Sequence, residues 1–153
     1  MVICLLVGFL VGVGYGTPNH EAIPLSENAE VQRLPIEFRT KASDLAERRE
    51  HRTEVRALKD QLVILGHFAT PTPCYRLNAT ATRQSDIITV EVTSESTLSP
   101  GQYCITVIAH VSYEAVISNL RPGTYRLKVM HAHSGTQRPV ETALDQAITV
   151  QTR

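Results

Sequence analysis

Two histidines one residue apart, His131 and His133, have the spacing best suited to chemistry in this chain. On a strand, residues i and i+2 share a face. Both imidazoles would then project together, a spacing that suits Cu, Zn or Ni. His110, at the end of another apolar run, is the third candidate ligand. Histidines at a strand end are more often exposed or held by hydrogen bonds, and no Asp or Glu stands out nearby as an outer partner. A second candidate is the stretch Ala69, Thr70, Pro71, Thr72, Pro73, Cys74, Tyr75. Prolines and a bridge would keep it extended and lower the entropy lost on binding, as in the inhibitory loop of a protease inhibitor. The plainer reading is a proline-bounded sheet edge that resists pairing with other chains. Ser134, Gly135 and Thr136 belong to a loop between the last two strands, where a partner would find exposed groups on a rigid scaffold. The chain has no G-x-S-x-G, H-E-x-x-H, phosphate-binding loop or dinucleotide fingerprint, so no catalytic residue is nominated and neither enzyme activity nor a cofactor is expected. Asn78, Ala79 and Thr80 match a glycosylation acceptor, which we read as chance because Asn78 falls within a strand pattern.

The bulk composition narrows the partners. Fifteen Lys and Arg balance fifteen Asp and Glu, so no global field draws the chain to nucleic acid or an anionic membrane. Three Phe, five Tyr and no Trp make stacking on bases or sugar rings a poor expectation. A chain of 153 residues supports one core and a tail rather than two full domains.

Val2 to Val13 is an unbroken run of apolar residues and glycine, followed by Gly14, Tyr15, Gly16 and a polar stretch. The run falls short of the roughly 20 residues of a spanning helix and has small residues where a signal peptidase cuts, so 1–16 reads as a signal peptide cleaved after Gly16. No Lys or Arg precedes it, which leaves the α-amino group to supply the positive charge. The alternative is a buried first strand of a cytosolic protein. Cleavage would remove Cys4 and leave an even pair, Cys74 and Cys104, which an oxidising compartment would join. Such a loop contributes roughly 3–4 kcal/mol in the chain-entropy treatment. The expected location is secreted or periplasmic, with no membrane span after cleavage.

The elements that must position these residues are strands. Residues 17–52 carry Pro18, Pro24 and Pro35 without a sustained apolar period and read as a polar arm or linker. A short helix over 42–52 is suggested by Asp44 and Glu47 as a capping box, although Arg48, Arg52 and Arg56 stack like charges along it. From Thr53 to the C-terminus, period-2 runs rich in Val, Ile, Thr and Tyr alternate with turn residues, the pattern of an antiparallel β domain. Glu54–Ala57 and Gln61–Phe68 flank a Lys59, Asp60 turn. Tyr75, Leu77, Ala79 and Ala81 share a face, as do Ile88, Val90 and Val92, with Gln84, Ser85 and Asp86 turning between them. Ser99, Pro100 and Gly101 precede expected strands at Gln102–Val111 and Tyr113–Leu120. Tyr125, Leu127, Val129, His131 and His133 form one face of the next, and Ile148 and Val150 belong to the last. Seven or eight such strands need a second sheet to cover one face of each, which makes a sandwich.

The segment Leu120, Arg121, Pro122, Gly123, Thr124, Tyr125 resembles the corner of fibronectin type III and prealbumin-like modules. In those, Pro-Gly turns the chain and the tyrosine plugs the corner, its hydroxyl capping nearby backbone. Over about 54–150, the pattern Thr72, Pro73, Cys74, Tyr75, then Tyr103, Cys104, then Pro122 to Tyr125, then Val129 to Ala132 is similar to a group of exported bacterial immunoglobulin-like sandwich proteins. That resemblance implies the sandwich, the disulfide and secretion, but no activity at any residue. The chain lacks the core Trp of true immunoglobulin domains and has a short cysteine spacing, so the bridge is not expected to pin sheet to sheet. The sequence thus points to an all-β, immunoglobulin-like antiparallel sandwich with a polar N-terminal arm. Its expected role is an exported, non-enzymatic module that meets a protein or cell-envelope component. Metal binding by the histidines and protease inhibition through Thr70 to Tyr75 are the rivals.

Overall fold

The computed structural model of the chain describes residues 30–42 and 52–151. The expected signal peptide and Cys4 lie outside them, as do residues 43–51 of the helix expected over 42–52, whose first residue, Ala42, ends a strand. Nine strands and no helix occur among the described residues: β1 (Gln32–Leu34), β2 (Ile36–Ala42), β3 (Glu54–Leu58), β4 (Gln61–Thr70), β5 (Tyr75–Gln84), β6 (Ile87–Ser96), β7 (Ala109–Ile117), β8 (Gly123–His133) and β9 (Glu141–Val150). They form two sheets, one in the order β1-β5-β6-β8-β9 and the other β2-β7-β4-β3. The all-β sandwich expected from the period-2 runs is what the chain adopts. Every pairing is antiparallel except β6 with β8, which lie parallel because the chain crosses to β7 in the opposite sheet before returning.

Alternation sets the core. Leu62, Ile64 and Phe68 of β4, Ile88, Val90 and Val92 of β6, Ala115 and Ile117 of β7, and Leu127 and Val129 of β8 are all buried, each set spaced by two or its multiple, as one face of a strand requires. Burying a side chain of this kind contributes about 1.5–3 kcal/mol.

Two expectations about elements are corrected. The polar arm was drawn through residue 52, yet 32–42 forms β1 and β2. Leu34, Ile36 and Phe38 carry the alternation, with Leu34 in the core and the other two packed against it. Pro35 falls between the two strands, where the chain leaves one sheet for the other, so its missing N–H costs no ladder bond. The strands expected at Gln102–Val111 and Tyr113–Leu120 are one strand, Ala109–Ile117, while 102–108 pairs with no strand. The alternation of β7 is set by β4, which it pairs from Thr70↔Ala109 to Leu62↔Ile117. Pairing stops where β4 ends.

Strand directions give the sandwich two unlike ends. At one, tight connections join β3 to β4 and β5 to β6, with Lys59 and Ser85 at positive φ. There the corner tyrosine behaves as its motif implies: Tyr125 is buried and its hydroxyl donates to the carbonyl of Arg121 at 2.8 Å. The Arg83 guanidinium lies over its ring. At the other end lie the longer connections 71–74, 97–108 and 134–140. The disulfide Cys74–Cys104 joins the first two of these, with Cα atoms 6.1 Å apart. It ties one passage between the sheets to the other and leaves the core faces to pack on their own.

Two measurements check these assignments. Tyr125→Phe removes one buried hydrogen bond and is expected to cost about 1 kcal/mol, read as a fall of roughly 3–6 °C in Tm. Replacing Cys74 and Cys104 together by Ser opens a loop with a sequence separation of 30. It should cost roughly 3–4 kcal/mol in denaturant melts while far-ultraviolet dichroism keeps its β signature.

Candidate functional site

The end with the long loops gathers most of the residues singled out for chemistry. His131 and His133 close β8, pointing inward as the H-x-H spacing predicts, and both rings lie against Phe68 of β4. The centroids are 4.7 Å apart for His131 and 5.0 Å for His133. Tyr113 of β7 meets His131 edge-on and also contacts Phe38 of β2. Five rings from both sheets thus form a plug over the core, in the tilted and edge-on geometries that aromatic groups favour.

The polar tips of this plug are satisfied internally. The Tyr113 hydroxyl and His131 Nε2 share a hydrogen bond of 2.8 Å, and Ser94 Oγ and His133 Nδ1 one of 2.9 Å. Ser94 is fully buried, and Thr53, also buried, hydrogen-bonds Tyr113 from the start of β3. Gly66 makes room for the phenol: a Cβ there would collide with the Tyr113 ring. No buried side-chain N or O atom among the described residues lacks a partner, as a polar group in a dry interior requires.

A bulge decides what faces His131. The β8–β9 register runs from Val129↔Leu144 to Met130↔Thr142, so Ala143 is the extra residue. Beyond it, parity is reversed, and Glu141 rather than Thr142 stands opposite His131. Re-aiming a side chain in this way is a common effect of a bulge. Glu141 and His131 then line a cleft of about 260 Å³ with Thr53, His67 and His110, at the edge that β4 exposes past the end of β3. His110 stands opposite Ala69, on the face of its sheet turned away from Phe68. His133 lines a neighbouring cleft with Arg138 and Val140, and His131 and Glu141 border it too.

The electrostatics follow from burial. Loss of water pushes His131 below the ordinary histidine range; Glu141 partly opposes this and His133 adds to it. His133 is lowered by burial and then by Arg138. Burial raises the Tyr113 phenol to about 12, so it keeps its proton at neutral pH. These are neutral, hydrogen-bonded groups, a state that closes a core.

The structure therefore brings His110 and His131 to one cleft and His131 and His133 to the next, with His131 between the two. Among the described residues, no three His, Cys, Asp or Glu side chains are grouped so as to hold one ion. Sequence reading missed His67, Glu141, Tyr113 and Ser94. Only the last two could have been sought in advance, as inward-facing polar residues, Ser94 on β6 beside β8 and Tyr113 on β7 of the facing sheet. The Pro-rich candidate bends at 71–74 rather than running extended. Thr70 is buried, its Oγ1 donating to the carbonyl of Thr72 at 2.8 Å, while Pro73 is exposed. In the third loop Ser134, Gly135 and Thr136 form a turn with Gly135 at positive φ, and the Thr136 hydroxyl donates to the His133 carbonyl. Asn78 is engaged with Glu95.

Among the described residues, the connection 97–108 carries a run of exposed apolar side chains. Tyr103 is 95% exposed, Ile105 69%, Val107 52% and Ile108 63%. Ser96 to Ala109 contains no charged residue, nor does Ala69 to Tyr75. Bonds around the bridge hold the near half: Thr97 donates to the Cys74 carbonyl through both N–H and Oγ1, and Gln102 and Ser99 are joined in both directions. An exposed apolar strip on a fixed loop marks a contact surface.

The lowered His131 and His133 values set a pH window. The unfolded chain takes up these protons first as pH falls through the ordinary value, 6.5. Stability is therefore complete above it, declines below it, and levels off once the folded values are passed. Asp145, held low by its hydrogen bonds with Arg126, acts in a separate, more acidic window. His131→Gln is expected to flatten the fall of Tm between pH 7 and the acid side of 6.5 relative to wild type; parallel curves would contradict this assignment.

No curated protein and no solved structure matches the chain. A family model described as the ORF11 beta-sandwich domain matches residues 62–141, from β4 through the start of β9, with both cysteines and all the rings of the plug except Phe38 inside the match. That is just over half of the 153 residues, and the chain belongs to the ORF11 beta-sandwich domain family.

Proposed function

We propose that this protein is an exported, non-enzymatic sandwich module that acts by contact, meeting a protein or cell-envelope component through its long-loop end. The observation that carries the proposal is the apolar strip Tyr103, Ile105, Val107 and Ile108, exposed on a loop tied down by Cys74–Cys104. Soluble chains rarely display a contiguous apolar run without a use for it, and a preset loop loses less entropy when it binds. The bridge also favours an oxidising compartment, in keeping with the apolar run Val2 to Val13. No helix among the described residues is long and apolar enough to cross a membrane. The histidines support the loop end as part of the core, and their neutral, hydrogen-bonded state favours that role over catalysis.

The test is made in the source organism. A photoreactive phenylalanine analogue at position 103 should give a discrete cross-linked product from the extracytoplasmic fraction. The intact mass should start near Thr17, with the cysteines joined. No product at position 103, or a full-length chain with free thiols in the cytosol, would overturn this reading.

A further inference from the structure

The run Gln102, Tyr103, Cys104, Ile105, Thr106, Val107, Ile108 has the composition of a strand without the pairing of one. It is rich in β-branched and aromatic residues, has no proline or glycine, and carries no charge. Its backbone is largely unpaired. Among the described residues, its hydrogen bonds outside strands are Gln102 N–H to the Ser99 carbonyl and Val107 N–H to the Ile105 carbonyl. An exposed segment of this kind is a template for strand addition, which native proteins usually blunt with Lys, Pro or a covering element. Within 102–108 there is no Lys and no Pro; Pro100 precedes the run and leaves its side chains exposed.

The lack of charge also indicates the occupant. A lipid surface would accept the side chains of Tyr103, Ile105 and Ile108 but leave the backbone groups of 102–108 unsatisfied in an apolar medium. A strand from a different protein would satisfy them, but the loop offers no charge to select one partner over another. In a two-fold antiparallel pair the same segment faces itself, so any charge near the axis would meet its own kind. An uncharged, alternating segment is what such a pair tolerates. We infer that residues 102–108 pair as a strand with the same residues of a second copy of this chain, antiparallel about a two-fold axis. This rests on the loop end being the contact surface and names the partner it takes.

Sedimentation velocity of the oxidised chain recovered from its source, over a concentration series, is expected to show a monomer–dimer equilibrium. Ile105→Lys and Ile105→Asp should each be monomeric, with Tm and the disulfide unchanged. Mixing the two should restore a dimer, since opposite charges then meet across the axis. A wild-type chain that stays monomeric, a dimer indifferent to either charge, or a mixture that stays monomeric would overturn strand pairing between copies. If purified protein is monomeric while position 103 still cross-links to a different protein in the organism, self-pairing fails and the contact surface stands. If position 103 cross-links to nothing, the contact surface itself fails.

Discussion

Phe68 lies against the rings of both His131 and His133, and the long-loop end of the sandwich is organised by that contact. Two facing sheets leave a slot open at each end, and water entering there would reach the Val and Ile faces that hold the sheets together. At the tight-turn end short connections and Tyr125 close the slot. At the other end the connections are long and irregular, so closure falls to side chains. A phenylalanine alone would close it from one sheet; imidazoles from the opposite sheet add flat apolar area while keeping polar tips that reach Tyr113 and Ser94. That combination requires neutral histidines, which explains why the H-x-H pair serves packing although its spacing resembles that of a ligand pair.

Closing the end from within leaves the loops free of structural duty. The core is complete without 97–108: Leu98 and the residues from Tyr103 to Ile108 place large apolar groups outside it. The disulfide is economical in the same sense. Joining two of the connections between the sheets restricts the unfolded chain, and in the folded state it sets where the 97–108 loop begins its exposed course. Stability and presentation thus depend on one bond, and neither needs a residue from the sheet faces.

Much of this was legible in the sequence, for physical reasons that also explain the failures. Strands buried on one face announce themselves by period 2, so β4, β5, β6 and β8 could be read nearly residue for residue. The corner at Pro122, Gly123 and Tyr125 could be read because local geometry there depends on local residues. β1 and β2 were hidden because Leu34, Ile36 and Phe38 sit among charged neighbours and Pro35 interrupts them; only the partners β5 and β7 make them strands. The opposite error occurred at 102–108, where Tyr103, Ile105 and Val107 alternate well but no strand among the described residues receives them. Pattern reports what a segment is fit to do, and pairing depends on what lies beside it. The Glu141 position was illegible for a third reason: one extra residue at Ala143 reverses parity along β9, and a bulge leaves no mark in the alternation of a half-exposed edge strand.

These cases bear on how the loop end came to be apolar outside as well as inside. An exposed β-prone run without charges is a liability in any chain that must stay soluble, and a single Lys at position 105 or 107 would remove it without touching the core. Those side chains belong neither to the core cluster nor to the hydrophobics packed against it. Their apolar character therefore has its cause outside the packing of this chain, and the bridge indicates when that cause operates. Cys104 lies within the run, so its bond to Cys74 restrains the run's path and lowers the entropy that the proposed pairing would cost. On the proposed contact role, coupling the run to the disulfide would confine productive contact to the oxidised, folded chain.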